Sequence, residues 1–239
     1  MTVAWKVVGH RGFAARYPEN TLPGFRAAIS IGVDAVELDV QLSGDGIPVV
    51  IHDDTLDRTT TSKGALADRD FKELAGISGH YPQKYAEQFF PLPLQSLEQT
   101  CSALAELNTK VFIEIKKESI GLRGREAFLE SVLQTSSILG EQRYIISFDA
   151  EILRLAKSKT QLPIGWCIED FSEQTLAQAK DLGPAVLICD CSMPVDGKLW
   201  PGSWEWFVYG VETLAQAQYW AECGATWIEA DDPPAVKCR

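Results

Sequence analysis

The sequence of 239 residues has no apolar run near the roughly 18 residues that a helix needs to cross a bilayer, which argues against membrane insertion. Its opening, MTVAWKVVGHRG, is too short and polar for an export signal, so a cytoplasmic location is expected. Positive charge is scarce: 22 Lys and Arg stand against 33 Asp and Glu, for a net charge of −11. Nucleic acid and anionic membrane surfaces both require basic patches that displace counterions, so neither is expected as a partner. The chain also lacks low-complexity tracts and any Gly/Ser- or Pro-rich linker, which predicts a single domain over residues 1–239. Six cysteines form no small-domain disulfide framework and are read as reduced thiols, and Cys189-x-Cys191 is too little for a zinc site. No feature of the sequence sets an oligomeric state.

What is present is a repeating architecture. With 46% hydrophobic residues the chain can bury a sizeable core. Short apolar strands are predicted at 5–9, 35–41, 110–116, 143–147, 163–168, 185–189, 206–210 and 225–229. Between them, apolar residues at three- and four-residue spacing predict helices over 22–31, 94–107, 123–139, 151–157, 173–182 and 213–223. Alternating β and α elements argue for a parallel sheet covered by helices, and eight strands in this length fit a TIM (β/α)8 barrel. Residues 190–203 are too rich in Pro, Gly and Trp for a good sixth helix, and the last helix should be short or missing. The piece from about 53 to 93, with Thr59-Thr-Thr61, Gly64, Gly76, Gly79 and Pro82, reads as an insertion of little regular structure near the barrel mouth.

The most informative stretch is Ala35–Asp54. Two apolar runs flank Ser43-Gly-Asp-Gly46, predicting strand, tight reversal and strand. Side chains alternate, so Glu37 and Asp39 share one face, opposite Val36, Leu38 and Val40. A two-residue loop at Asp45-Gly46 sets His52 opposite Asp39, a pairing that a one-residue change of register would undo. Two carboxylates and an imidazole on one face are too costly for a packed core, because burying unpaired charge costs several kcal/mol. This face is expected to be the floor of an active site. In a barrel the chemistry sits at the C-terminal strand ends, where the first strand reaches His10-Arg11-Gly12 and the third carries Glu114 and Lys116 on one face.

His10-Arg11-Gly12, Pro18-Glu-Asn-Thr21, Glu37-x-Asp39, Val49-Val-Ile-His-Asp53, Arg58-Thr-Thr60, Ile113-Glu-Ile-Lys116 and Ile146-Ser-Phe-Asp149, with a looser ending at 224–233, together resemble the glycerophosphodiester phosphodiesterase family. The resemblance implies a barrel, a divalent metal ion and hydrolysis of a small-molecule glycerophosphodiester to glycerol 3-phosphate and an alcohol. It matches the family's metal ligands to Glu37, Asp39 and Glu114, its catalytic histidines to His10 and His52, and its phosphate-holding positions to Arg11 and Lys116. Each assignment suits the residue type. Three carboxylates fit a hard cation such as Mg²⁺ or Ca²⁺, and an acidic protein that handles phosphate must gather positive charge locally. Two histidines titrating near neutrality can take a proton from one oxygen and give one to another. The chain departs from the family at Val208-Tyr-Gly-Val-Glu212 and Ala230-Asp231, which border the mouth.

Plainer readings stand beside these. His10 alone could cap or pack, and Glu114 with Lys116 could be a simple ion pair. Glu19 and Asn20 are expected to cap the helix near Leu22, and His80 is expected on the surface. Trp166, Trp206 and Tyr209 are candidates for lining the pocket. The attacking oxygen is either a glycerol hydroxyl beside the phosphate, giving a cyclic phosphate, or water. A related lysophospholipase D-like or phospholipase C-like enzyme, or a catalytically silent barrel that binds glycerophosphodiesters, are the alternatives.

Overall fold

The computed structural model describes residues 3–237. Nine strands are present: β1 (Lys6–Gly9), β2 (Ala35–Leu42), β3 (Pro48–Val50), β4 (Lys110–Ile115), β5 (Arg143–Ser147), β6 (Ile164–Cys167), β7 (Val186–Asp190), β8 (Glu205–Tyr209) and β9 (Ala225–Ala230). All but β3 run parallel to their neighbours, and β1 pairs with both β9 and β2, which closes an eight-stranded barrel. Closure satisfies the edges of the eight barrel strands, so these need no charged or proline-blunted margin. β3 is an antiparallel arm hydrogen-bonded to β2 alone.

Helices cover the outside wherever the sequence supplies an apolar stripe and a cap. The helix Leu97–Ala105 starts with a capping box in which Ser96 and Gln99 satisfy each other's backbone N–H groups, and Leu214–Glu222 starts the same way with Thr213 and Gln216. Asp149 and Ser172 cap Ala150–Lys159 and Glu173–Leu182. Between β7 and β8 there is only a single 3₁₀ turn, Val195–Gly197, and after β9 only the four-residue helix Pro233–Val236. The first gap follows from the proline, glycine and tryptophan content of residues 190–203. A large apolar layer lies between helices and strands. A second, smaller cluster fills the barrel interior, where Val8, Ala35, Phe112, Ile146, Ile188, Phe207 and Trp227 meet.

The hairpin register differs from expectation by one residue. Ser43 N–H donates to Ile47 O at 3.0 Å, closing a three-residue loop, Gly44-Asp45-Gly46, with Gly46 at φ 86°. Ser43 Oγ also donates to Asp45 Oδ1 and accepts from Ile47 N–H, which fixes that longer loop. Asp39 therefore faces Ile51, whose N–H donates to Asp39 O at 3.1 Å. His52 lies past the end of the pairing, its carbonyl held by Gln41 Nε2 at 2.9 Å.

The excursion between Asp53 and Pro93 carries two four-residue helices, Phe71–Leu74 and Pro82–Tyr85, and a small apolar cluster of its own in which Leu56, Leu66, Leu74, Ile77 and Leu94 pack on Val49 and Ile51. His80 is fully buried there, not on the surface: its Nδ1 bonds Ser78 Oγ at 2.8 Å and its ring meets Phe90 edge-on at 5.3 Å. The Ser78 hydroxyl satisfies one ring nitrogen and Phe90 supplies an aromatic wall, while Nε2 is buried without a partner among the described residues. Tyr85 Oη ties the excursion to the barrel by donating to Ala14 O and Tyr17 O. Among the described residues the cysteines are free thiols, and Cys238 lies outside those residues.

Phe112 is the hub of the interior cluster, with ring centroids of Tyr144, Phe207 and Trp227 at 4.5, 5.1 and 5.2 Å. Phe112→Ala should lower unfolding free energy by about 3–5 kcal/mol, read from the midpoint of urea denaturation.

Candidate active site

The strand ends that carry His10, Arg11, Glu37, Glu114, Lys116 and Glu229 open into one pocket of about 570 Å³, its open mouth included. On the β2 and β4 side, Glu37, Asp39 and Glu114 each present a carboxylate oxygen, and these oxygens lie within 4.8 Å of one another. Asp39 and Glu114 are register neighbours on adjacent strands, which is what brings them together. Asp39 is 1% exposed and Glu37 is 3% exposed, depths at which clustered negative charge needs compensation. Arg11 Nε lies 3.1 Å and Lys116 Nζ 3.4 Å from Asp39, and Lys116 Nζ is 2.8 Å from Glu114. Glu37 accepts the Arg11 backbone N–H through Oε2, while its Oε1 is buried without a partner.

This donor set fits a hard divalent cation. Three carboxylates converge, one buried oxygen is orphaned, and burial with the neighbouring acids Asp39, Glu229 and Glu114 pushes the Glu37 carboxyl well up. Burial and Asp39 likewise push Glu114 up, against the pull of Lys116. Asp39 is the exception. Burial opposes its charge, but Arg11, Lys116 and His52 outweigh that and hold its pKa low.

The two histidines line the same pocket, His10 from the end of β1 and His52 from beyond β3. Each gives its Nδ1 proton to a carboxylate: His10 to Asp231 at 2.6 Å and His52 to Asp53 at 2.7 Å. That bond sets the tautomer and leaves Nε2 for other chemistry. Their titrations are pushed apart. Burial lowers His10, but Glu229 and Asp231 more than offset it and the net shift is upward. Burial lowers His52 as well, and there Arg11 and Lys116 help it prevail over Asp39 and Asp53.

Arg11 stands at φ 50° and Asn20 at φ 58°, left-handed conformations costly for non-glycine residues and typical of sites that hold a side chain in one place. Gly12, at φ 90°, lets the turn pass the next helix: a Cβ there would lie 2.7 Å from the carbonyl carbon of Gly24.

A model of the glycerophosphoryl diester phosphodiesterase family matches residues 10–235. The chain belongs to that family. It is 35% identical over 161 residues to a glycerophosphodiester phosphodiesterase of Caldanaerobacter subterraneus, covering 66% of this chain and 65% of that protein. It is 34% identical over 143 residues to one of Bacillus altitudinis, covering 59% of this chain and 57% of the relative. The matched part thus spans less than two thirds of either relative. Its fold is similar to that of an Oleispira antarctica phosphodiesterase solved in complex with the product sn-glycerol-3-phosphate, with TM-score 0.86, 23% identity and coverage of 97% and 94%.

The family signature Pro18-Glu-Asn-Thr21 acts differently from a simple cap. The N-cap of Leu22–Ser30 is Thr21, without a side-chain bond to the helix. Asn20 instead clamps Asp39, donating from Nδ2 to Asp39 Oδ2 at 2.8 Å and accepting the Asp39 N–H at 3.1 Å. Glu19 joins two guanidinium groups, accepting from Arg11 Nη1 at 2.8 Å and from both Nη atoms of Arg58. Arg58 in turn donates to both oxygens of Asp53, the partner of His52. The excursion after β3 thereby orients His52 and Arg11. Of the tryptophan and tyrosine candidates, Tyr209 lines the pocket. Trp206 stacks on Phe171 in the outer layer at 5.7 Å, and Trp166 donates to Phe148 O, because both face away from the barrel axis.

Sequence reading passed over Glu229, Asp231 and Asp53 as site residues. Alternation on β9 held the signal for Glu229, which shares a face with the interior Trp227; the two aspartates required the tertiary partners.

Asp53 is held down to about 2 by the bonds from Arg58 and His52, below its ordinary 3.8. A lowered carboxyl stabilises the fold above the unfolded-state value and loses that contribution as pH falls through the folded one. Asp53→Asn should cost about 1–2 kcal/mol near neutral pH, allowing for solvent screening. The deficit should shrink as pH falls from about 4 toward 2, measured as paired urea titrations of both proteins.

Proposed function

We propose that the chain hydrolyses glycerophosphodiesters to glycerol 3-phosphate and an alcohol, as one catalytic unit whose 53–93 excursion belongs to the mouth, with Mg²⁺ or Ca²⁺ on Glu37, Asp39 and Glu114. The observation that carries this reading is the pair of carboxylate-oriented histidines, His10 with Asp231 and His52 with Asp53, flanking the three acids in a single pocket. Phosphodiester cleavage needs charge neutralisation on the non-bridging oxygens and a proton moved at each end of the reacting phosphorus.

Arg11 and Lys116 line the pocket and remain charged, since burial works against their charge but Asp39 and further acids override it. They bind the phosphate oxygens. A divalent cation, when bound, adds Lewis-acid polarisation of the phosphoryl group. His52, whose neutral form is favoured, takes the proton from the attacking oxygen through Nε2. His10, whose charged form is favoured, gives one to the leaving oxygen. Asp53 and Asp231 keep both rings turned for this, and the same pair serves whether the attacking oxygen is a glycerol hydroxyl or water.

Ile146, Phe148, Ile188, Phe207 and Tyr209 form an apolar wall opposite the charged one. This wall favours a second reading, a lysophospholipase D-like enzyme whose substrate carries a long apolar chain. No helix among the described residues is long and apolar enough to cross a membrane. Glycerophosphocholine and lysophospholipids of increasing chain length, assayed in parallel, separate the two.

Purified protein with Mg²⁺ or Ca²⁺ should release glycerol 3-phosphate from glycerophosphocholine or glycerophosphoethanolamine. His10→Ala and His52→Ala should each lower kcat by about 10²–10⁴, and excess chelator should abolish turnover until metal is returned. Cation at about 100 times its Kd should also raise unfolding free energy by about 2.7 kcal/mol, a gain that Glu114→Gln should largely remove. Turnover undiminished in chelator, or in His10→Ala, would contradict the mechanism.

A further inference from the structure

Glu229 is the acid in the pocket that the proposed machinery leaves without work. It projects from β9 among pocket-lining residues, is 5% exposed, and its Oε1 is buried with no hydrogen-bond partner. It lies outside the Glu37, Asp39 and Glu114 group, the cluster close enough among the described residues to share one ion. The cations nearby are already engaged: Arg11 with Glu19 and Asp39, Lys116 with Glu114 and Asp39. A carboxylate oxygen buried without a donor costs the fold several kcal/mol. An interior position on β9, beside Trp227 and one strand from Phe207, would accept an apolar side chain at no such cost.

The missing partner is therefore a donor that arrives with the ligand. Phosphate cannot supply it, because its oxygens only accept and its charge repels a carboxylate. Arg11 and Lys116 fix the phosphate on their own side of the pocket. The part common to every glycerophosphodiester, whatever its second alcohol, is the glycerol, two hydroxyl donors on a short apolar chain. We propose that Glu229 is a specificity-determining residue which accepts a hydrogen bond from a glycerol hydroxyl and so selects the glycerol half of the substrate. This rests on the glycerophosphodiester reading above and deepens it. Burial, with the acids Asp39 and Glu114 nearby, raises the Glu229 carboxyl to about 7 despite His10 and Arg11, as expected of a group held ready for a donor it does not yet have.

The test uses binding, so that it does not depend on turnover. Calorimetry measures Kd for sn-glycerol 3-phosphate and for propyl phosphate, which has the same chain without hydroxyls, in the wild-type protein with saturating Mg²⁺ or Ca²⁺. Wild type should prefer glycerol 3-phosphate by about tenfold or more, the usual worth of one hydrogen bond to a charged acceptor. Glu229→Leu should bring the ratio close to one chiefly by weakening glycerol 3-phosphate, and should raise thermal stability because the unpaired carboxylate is gone. Glu229→Gln, which keeps an acceptor of the same shape, should retain part of the preference and serves if the leucine variant does not fold.

Equal affinity for the two phosphates in wild type, or an undiminished ratio in both variants, would overturn the role given to Glu229. So would an equal loss for both ligands, which would make Glu229 a support of the phosphate site. A wild type that prefers glycerol 3-phosphate yet hydrolyses no glycerophosphodiester would leave this binding role standing and refute the catalytic reading alone.

Discussion

The structure turns on one buried anion. Asp39, at 1% exposure, is ionised in a place where charge is expensive, and it stays so because Arg11 and Asn20 from the loop after β1 and Lys116 from the end of β4 converge on it. Each of those partners is spoken for in turn. Arg11 is shared with Glu19, Glu19 with Arg58, Arg58 with Asp53, and Asp53 with His52. A continuous run of ion pairs and charge-assisted hydrogen bonds thus joins the end of β1, the center of β2, the end of β4 and the excursion after β3. Removing one member exposes the others to uncompensated burial, which is why such networks are costly to break and hold their geometry.

Barrel closure makes that convergence possible. Parallel strands deliver their C-terminal ends to one rim, and the pairing of β1 with β2 and β9 sets His10 and Arg11 between the Glu37 strand and the Glu229 strand. The barrel then divides the pocket by charge. The ends of β1, β2, β4 and β9, with His52 from beyond β3, bring the carboxylates, histidines, Arg11 and Lys116, whereas β5 to β8 bring mainly apolar side chains such as Ile146, Ile188 and Phe207. Phosphate chemistry is confined to one wall, and the opposite wall excludes water, where electrostatic interactions count for more.

Stability has been given up at this rim. Left-handed backbone at Arg11 and Asn20, the orphaned oxygens of Glu37 and Glu229, and three acids lining one cavity are all unfavourable for the fold. They are tolerated because the lower interior, centred on Phe112 and Trp227, and the helix-facing layer carry no such burden.

Much of this was legible in the chain itself. Period-two alternation gave Glu37 and Asp39 a common face, and Glu114 and Lys116 another, and strand and helix spacing indicated eight parallel strands; these are local patterns that any stretch of chain carries with it. Local pattern also misled. The turn at Gly44-Asp45-Gly46 is one residue longer than its Asp-Gly pair implies, so His52 reaches the pocket from beyond the strand and not by pairing with Asp39. His80 looked solitary because Ser78 and Phe90 make a compartment for it only after the excursion folds back. Sequence by itself determined which residues carry charge and on which face of which strand they sit, since those follow from covalent order and the geometry of a strand. Only the tertiary structure decided who neutralises whom: Asn20 with Asp39, Asp231 with His10, and Glu229 with no partner at all, because hydrogen bonds between residues up to 221 positions apart exist only once the barrel has closed.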